Sequence, residues 1–374
     1  MTTHPPTILR ARFRSAIARV VWIGLGIAMH GGIWVEPVWA AEVAVLNDDG
    51  STRALVGEIV EETTREVVVK TAAGEEQRIP VYQVDSVKYD QQPPELAAAR
   101  SFATQGRFDE ALPAMMAILD EIDAKKNSGL DAAIRFEVFL IKAKKGLRSP
   151  PDLPAAVEWY AQQKELLAGT RHHYPSLEWA GRVQLALGES AIAEELFSAL
   201  GSVDWPGYRE RSQRYLAELA LRQGKAEEAA RLFGDVVRSS TAGSTAQWER
   251  SLASIGQAEA LVQSGKAEEA EKICRQILDD PAVADRPAAL APLRNVLGDA
   301  LAKLDRKKEA VLDGYMWVHV LYSAEETEHA RALFHLASLL GDIGYPQYAE
   351  QMAQILTTKL GQTEWAKKLQ VPSP

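Results

Sequence analysis

The spacing of apolar residues changes twice along the chain. Val20 to Met29 is almost unbroken, and Gly31-Gly32-Ile33-Trp34-Val35 extends it. From Glu42 to Asp90 the apolar residues form short runs or alternate with polar ones, the period of β-strands. Val43–Leu46, Arg53–Val60, Glu66–Thr71, Gln77–Ile79 and Val84–Tyr89 are the five candidate strands. Asn47-Asp48-Asp49-Gly50 and Ala72-Ala73-Gly74-Glu75 supply turn chemistry, and Pro80-Val81-Tyr82-Gln83 suits a single helical turn. Gln91-Gln92-Pro93-Pro94 ends this region, because proline cannot continue a strand ladder and is welcome at a helix start. Beyond it the apolar residues recur at helical spacing to about residue 360.

Within the helical part, Gly224-Lys225-Ala226-Glu227-Glu228-Ala229 recurs unchanged as Gly265-Lys266-Ala267-Glu268-Glu269-Ala270. Weaker copies stand at Gly106 to Ala111, Gly188 to Ala193 and Gly344 to Ala349. Aligning them marks alanines at 111, 156, 193, 229, 270, 310 and 349. Five have glycine five residues earlier, where it permits a left-handed helix cap; Asp305 takes that place before Ala310. One turn beyond the alanines stand Met115, Tyr160, Phe197, Phe233, Cys274, Gly314 and Ala353, the large ones sized to fill a groove between helices. Leu216-Ala217, Leu297-Gly298 and Leu336-Ala337 occupy matching places in the preceding helices.

These residues resemble the tetratricopeptide repeat, with its L-G-x2-Y, A-x3-F and P positions. The resemblance covers Pro93 to about Leu360 and implies about seven helix pairs stacked as an α-solenoid. Other α-solenoids, HEAT among them, stack pairs in the same way. The last five alanines lie 36, 41, 40 and 39 residues apart, longer than the family's 34, so a flatter or looser superhelix is expected. The strand segment is similar to a small SH3-like or Sm-like barrel. The expected fold is therefore mainly α, a solenoid of helix pairs preceded by a small five-stranded β-barrel. Its divisions are residues 1–40, 41–90, 91–360 and a tail at 361–374.

Composition narrows the class of function. Arg10, Arg12, Arg14 and Arg19 precede the first apolar run, and Val38-Trp39-Ala40-Ala41 follows it. A basic start, a short apolar run and small residues make a secretory signal peptide, cut after Ala40. The run is shorter than the ~20 residues of a membrane span, so a membrane anchor arises only if this segment stays uncut. The expected location is the periplasm or cell envelope of a bacterium. The net charge of −9 opposes binding to nucleic acid or anionic lipid. Cys274 is the only cysteine and falls on a core-facing position, so it forms no intrachain disulfide and reads as a buried hydrophobe.

No catalytic, cofactor or metal constellation is present. Gly265-Lys266 lacks the glycine spacing of a phosphate loop, and Gly188-Glu189-Ser190 lacks the second glycine of a nucleophile elbow. His172 and His173 read as exposed loop residues, while His319, His329 and His335 could approach one another. A solenoid offers surface instead. Mapping the family's inward positions selects Glu178, Arg182, Arg211, Arg214, Arg222, Asn295, Lys303 and Arg331, a stripe rich in cations that would attract an acidic partner. The resemblance thus implies a non-enzymatic, exported adaptor with a protein or peptide in its concave groove. The alternative is a structural protein that self-assembles into a homo-oligomer through its β module.

Overall fold

The computed structural model describes residues 41–47, 50–90, 92–281 and 283–370; the expected signal peptide lies outside them. Strands β1 (Ala41–Leu46), β2 (Thr52–Glu62), β3 (Glu66–Lys70), β4 (Glu76–Pro80) and β5 (Val84–Lys88) form one antiparallel sheet in the order β4-β3-β2-β1-β5. A single 3-10 turn, Val81–Gln83, links the last two strands where the sequence predicts one. Every strand sends alternate residues to one side, where Val43, Val45, Leu55, Val67, Val69, Ile79 and Val87 share a core. Irregular pairing at Ala44/Val45 and at Ile59/Glu61 bends the sheet around that core.

The rest is helical. The pairs are α1 (Glu95–Thr104) with α2 (Phe108–Glu121), α3 (Ser128–Arg148) with α4 (Leu153–Ala168), and α5 (His173–Leu187) with α6 (Ser190–Leu200). Next come α7 (Tyr208–Arg222) with α8 (Ala226–Val237), and α9 (Ser244–Gln263) with α10 (Ala267–Leu278). In the sixth pair, α11 (Pro287–Lys303) packs on a composite helix: α12 (Lys307–Glu309), a π-helical stretch (Ala310–Tyr315) and α13 (Met316–Leu321). The seventh is α14 (Glu326–Asp342) with α15 (Pro346–Lys359), and α16 (Glu364–Gln370) then packs on both.

The repeated residues do what their spacing predicts. Gly106, Gly188, Gly224, Gly265 and Gly344 all have positive φ, and so does Asp305, at 60°. At each, the next N–H reaches back five residues, as in Lys225 N–H to Ala220 O at 3.0 Å and Arg306 N–H to Leu301 O at 2.9 Å. This bond closes the first helix of each of those pairs. Ala111, Ala156, Ala193, Ala229, Ala270 and Ala310 are fully buried, so paired helices close on them without a gap. The aromatic residues beyond them lie on glycine: any side chain at Gly181, Gly256 or Gly298 would strike the ring of Phe197, Phe233 or Tyr315. Cys274 is buried as well, and burial pushes its thiol up to about 12, leaving no thiolate at neutral pH.

Two features differ from the sequence expectations. His172 is buried rather than exposed, stacked on Phe136 with centroids 4.7 Å apart; burial holds its imidazole neutral. The array is tightly curved rather than flattened, since Arg148 at the end of α3 reaches Glu326 at the start of α14 across 3.6 Å. The sheet itself lies along the starts of successive first helices. Tyr89 and Glu62 abut Gly129 of α3, Glu62 faces Arg171 before α5 at 3.2 Å, and Val81 packs with Val203 and Trp205 before α7.

Candidate functional site

First helices of successive pairs pack on one another, α3 on α5, α7 on α9 and α9 on α11, and so line the concave face. Their inward residues enclose a cavity of about 580 Å³. Arg148 and Leu147 enter it from α3, Arg182 from α5, Arg211, Arg214 and Arg222 from α7, and Trp248 and Leu252 from α9. Glu364 and Trp365 of α16 line its far side. A second cavity of about 570 Å³ is bounded by Glu259, Asp299, Lys303, Tyr315, Arg331 and His335. The two cavities have Trp365 in common.

The cations selected from the sequence have different fates. Arg211 donates through Nε to Glu249 (2.8 Å) and through Nη1 to Glu178 (3.0 Å). Arg214 donates through Nε to the other oxygen of Glu249 at 2.7 Å, and Tyr215 Oη donates to Glu178 at 2.8 Å. These groups are mostly buried. Burial opposes the charge on both guanidiniums, but the carboxylates of Glu178 and Glu249 hold the Arg211 guanidinium, and Glu249 the Arg214 one, above the usual range. Burial and Glu178 push the Tyr215 hydroxyl up to about 12. Arg331 is likewise held by Asp299 and, at 3.0 Å, by Glu259. Tyr315 Oη donates to Asp299 at 2.6 Å, and His335 stacks on that ring at 4.8 Å. Asn295 is fully buried and donates to Glu328 Oε2 at 2.7 Å. Arg211, Arg214, Asn295 and Arg331 therefore tie neighbouring first helices together, and the charges of the three arginines are spent internally.

Arg222 is exposed, with only a loose partner in Glu218 at 3.8 Å, and Lys303 is exposed at the second cavity. Arg182 differs from both. It is half-buried, lies 4.0 Å above the Trp179 ring, and has no carboxylate within 4 Å among the described residues. Lys144 of α3 approaches the same ring at 5.6 Å and is also without an acid partner there. Burial, then Arg182 and Arg148, pulls the Lys144 ammonium below its usual range. Sequence reasoning missed Lys144, Arg148 and Trp179, because the Pro-rich loop after Arg148 hides the register of the second repeat. The cluster Lys142, Lys144, Lys145 and Arg148 in an acidic chain is the signal that marks the place.

His319 and His329 do meet, Nδ1 to Nε2 at 2.9 Å, and burial lowers both, His329 to about 4. Among the described residues no group of three or more His, Cys, Asp or Glu could hold a metal ion, and no helix is long and apolar enough to cross a membrane.

No family profile and no curated protein matches this chain. Solved structures do. The Rap protein complexed with competence and sporulation factor aligns with 74% of this chain and 79% of its own, at 13% identity and a TM-score of 0.52. A tetratricopeptide repeat protein from Parabacteroides merdae aligns with 74% of this chain and 98% of its own, at 16% identity and a TM-score of 0.47. The array is a tetratricopeptide-like α-solenoid. Its helix pairs, their left-handed caps and their alanine contacts follow that fold, while its repeats run longer and its sixth pair carries a π-helical stretch.

Proposed function

We propose that this solenoid is a non-enzymatic scaffold that holds a segment of another protein in its concave groove. One observation carries this reading: first helices from four successive pairs, together with α16, enclose a single groove. It combines apolar and aromatic contacts (Leu147, Trp248, Leu252, Trp365) with charged groups. That mixture suits a polypeptide better than a small rigid ligand, because a chain presents both side-chain types at regular spacing. The Rap protein of similar fold was solved with a bound factor, in keeping with such use. The signal-like segment at 1–40 supports export to a bacterial envelope. The five-stranded sheet serves in this proposal to buttress the array.

A photo-crosslinking residue at Trp248 or Leu252 tests the groove in cells. Adducts are expected there and not at Glu195 on the exposed side of α6. Adducts at Glu195 alone would remove the groove from the proposal. N-terminal sequencing of the mature protein, expected to begin at Ala41, tests export.

A further inference from the structure

The cations of the groove are not equivalent, and the difference selects a ligand. Arg211, Arg214 and Arg331 are neutralised by Glu178, Glu249, Asp299 and Glu259, so an incoming anion would have to break buried pairs to use them. Breaking such a pair leaves a buried charge unmatched, which is strongly unfavourable. Lys144, Arg148 and Arg182 stand in the opposite condition. They converge where α3 meets α5, and the nearest acid among them is Glu326, 3.6 Å from Arg148 and itself half-exposed. Lys144 and Arg182 both lie over the Trp179 ring, at 5.6 and 4.0 Å, so both cations are aimed by an aromatic face rather than by ion pairing. Arg148 is held in the same manner over Phe108, at 4.9 Å. Crowded like charges repel, and a −9 protein has ample carboxylates with which to pair them. Here Lys144 and Arg182 remain apart from carboxylates and Arg148 has only the half-exposed Glu326, with Arg148 and Arg182 lining the groove beside Leu147 and Leu185.

We infer that Lys144, Arg148 and Arg182 form the recognition point for carboxylate side chains of an acidic protein segment, whose apolar residues run on toward Trp248, Leu252 and Trp365. This rests on the groove reading above and adds to it the chemistry of the occupant. Guanidinium groups fixed by stacking are suited to carboxylates, which they engage in two parallel hydrogen bonds. Burial, and after it the nearby Arg182 and Arg148, holds Lys144 below its ordinary range, and a bound carboxylate would offset the repulsive part.

The test uses a labelled ten-residue peptide of alternating Glu and Leu with one Trp, its counterpart with Lys for Glu, and inorganic phosphate, on the mature full chain. The acidic peptide is expected to bind, the Lys peptide to bind at least about tenfold more weakly, and affinity to fall with added salt. The double variant Lys144→Glu with Arg182→Glu should lose at least about tenfold for the acidic peptide. Since neither residue is ion-paired, its melting temperature should stay near that of the parent. Lys144→Gln with Arg182→Gln supplies a milder second variant if the reversal unfolds. Equal binding of the two peptides, or unchanged affinity in the Gln variant, overturns the inference. So does phosphate that displaces the peptide at equal charge concentration, which would make this a simple anion site. If the acidic preference fails while crosslinks at Trp248 persist, only the ligand chemistry is wrong. Loss of the crosslinks as well removes the groove itself.

Discussion

Asp305 has a left-handed backbone that five other repeats assign to glycine. An L-residue there bears a steric cost of about 1 kcal/mol, smaller for Asp than for most. Asp305→Gly should therefore raise the unfolding free energy by up to about 1 kcal/mol, read as a shift of the urea midpoint at constant slope. The histidines set a second expectation. Burial lowers His172, His173, His319, His329 and His335, with His329 brought to about 4. The unfolded chain takes up protons near 6.5 while the folded chain resists them, so stability is full above that pH and declines as pH falls toward 4. Burial raises the Glu328 carboxyl and works in the opposite direction, as a single group. Melting temperatures across pH 7.5 to 4 should show the decline. At this scale the cap glycines and buried alanines were legible because each answers to its own helix. Arg211 was not, because its carboxylates lie 33 and 38 residues away, and their position depends on how repeats turn on one another.

The sixth pair shows what one extra residue does to an element. Phe197 and Phe233 stand four residues after their alanines, but Tyr315 stands five after Ala310. The π-helical stretch absorbs the surplus, so the Tyr315 ring still closes on Gly298, and Gly314 allows the backbones to touch. Leu312, within the stretch, is 52% exposed. Deleting Leu312 should convert the stretch to an ordinary helix and change stability by less than about 1 kcal/mol. Deleting Leu232 in α8 would rotate Phe233 away from Gly256 and should cost about 3 kcal/mol or more, as emptying an aromatic site does. Circular dichroism during urea unfolding distinguishes the two. The helix pairs were legible from period and caps, but the π turn was not. The sequence shows only Gly314 where a large residue is expected, and the compensating Tyr315 becomes apparent once Gly298 is seen beneath it.

Across the whole molecule, the sheet and the array share buried surface. Val81 packs with Val203 and Trp205, with Tyr82, Tyr174 and Tyr208 around them. Tyr89 Oη donates to Glu62 Oε2 at 2.8 Å beside Arg171. A chain beginning at Pro94 would expose these groups to water. It is expected to keep its helical content, melt at lower temperature and associate through the uncovered Trp205 region, as light scattering would show. Association that instead disappears in the shortened chain would favour assembly through the sheet. The curvature that brings Arg148 to Glu326 was beyond the sequence, since small rotations at each repeat accumulate into it and no single residue encodes them.

Because the sheet grips the starts of α3, α5 and α7 at once, it acts as a splint along that half of the groove. Pairs two to four cannot twist relative to one another without prising it off, whereas the pairs from α9 onward have no such restraint in the described residues. Under the groove reading proposed above, widening of the groove falls to the carboxyl-terminal half, beside the splinted pairs that carry Lys144 and Arg182.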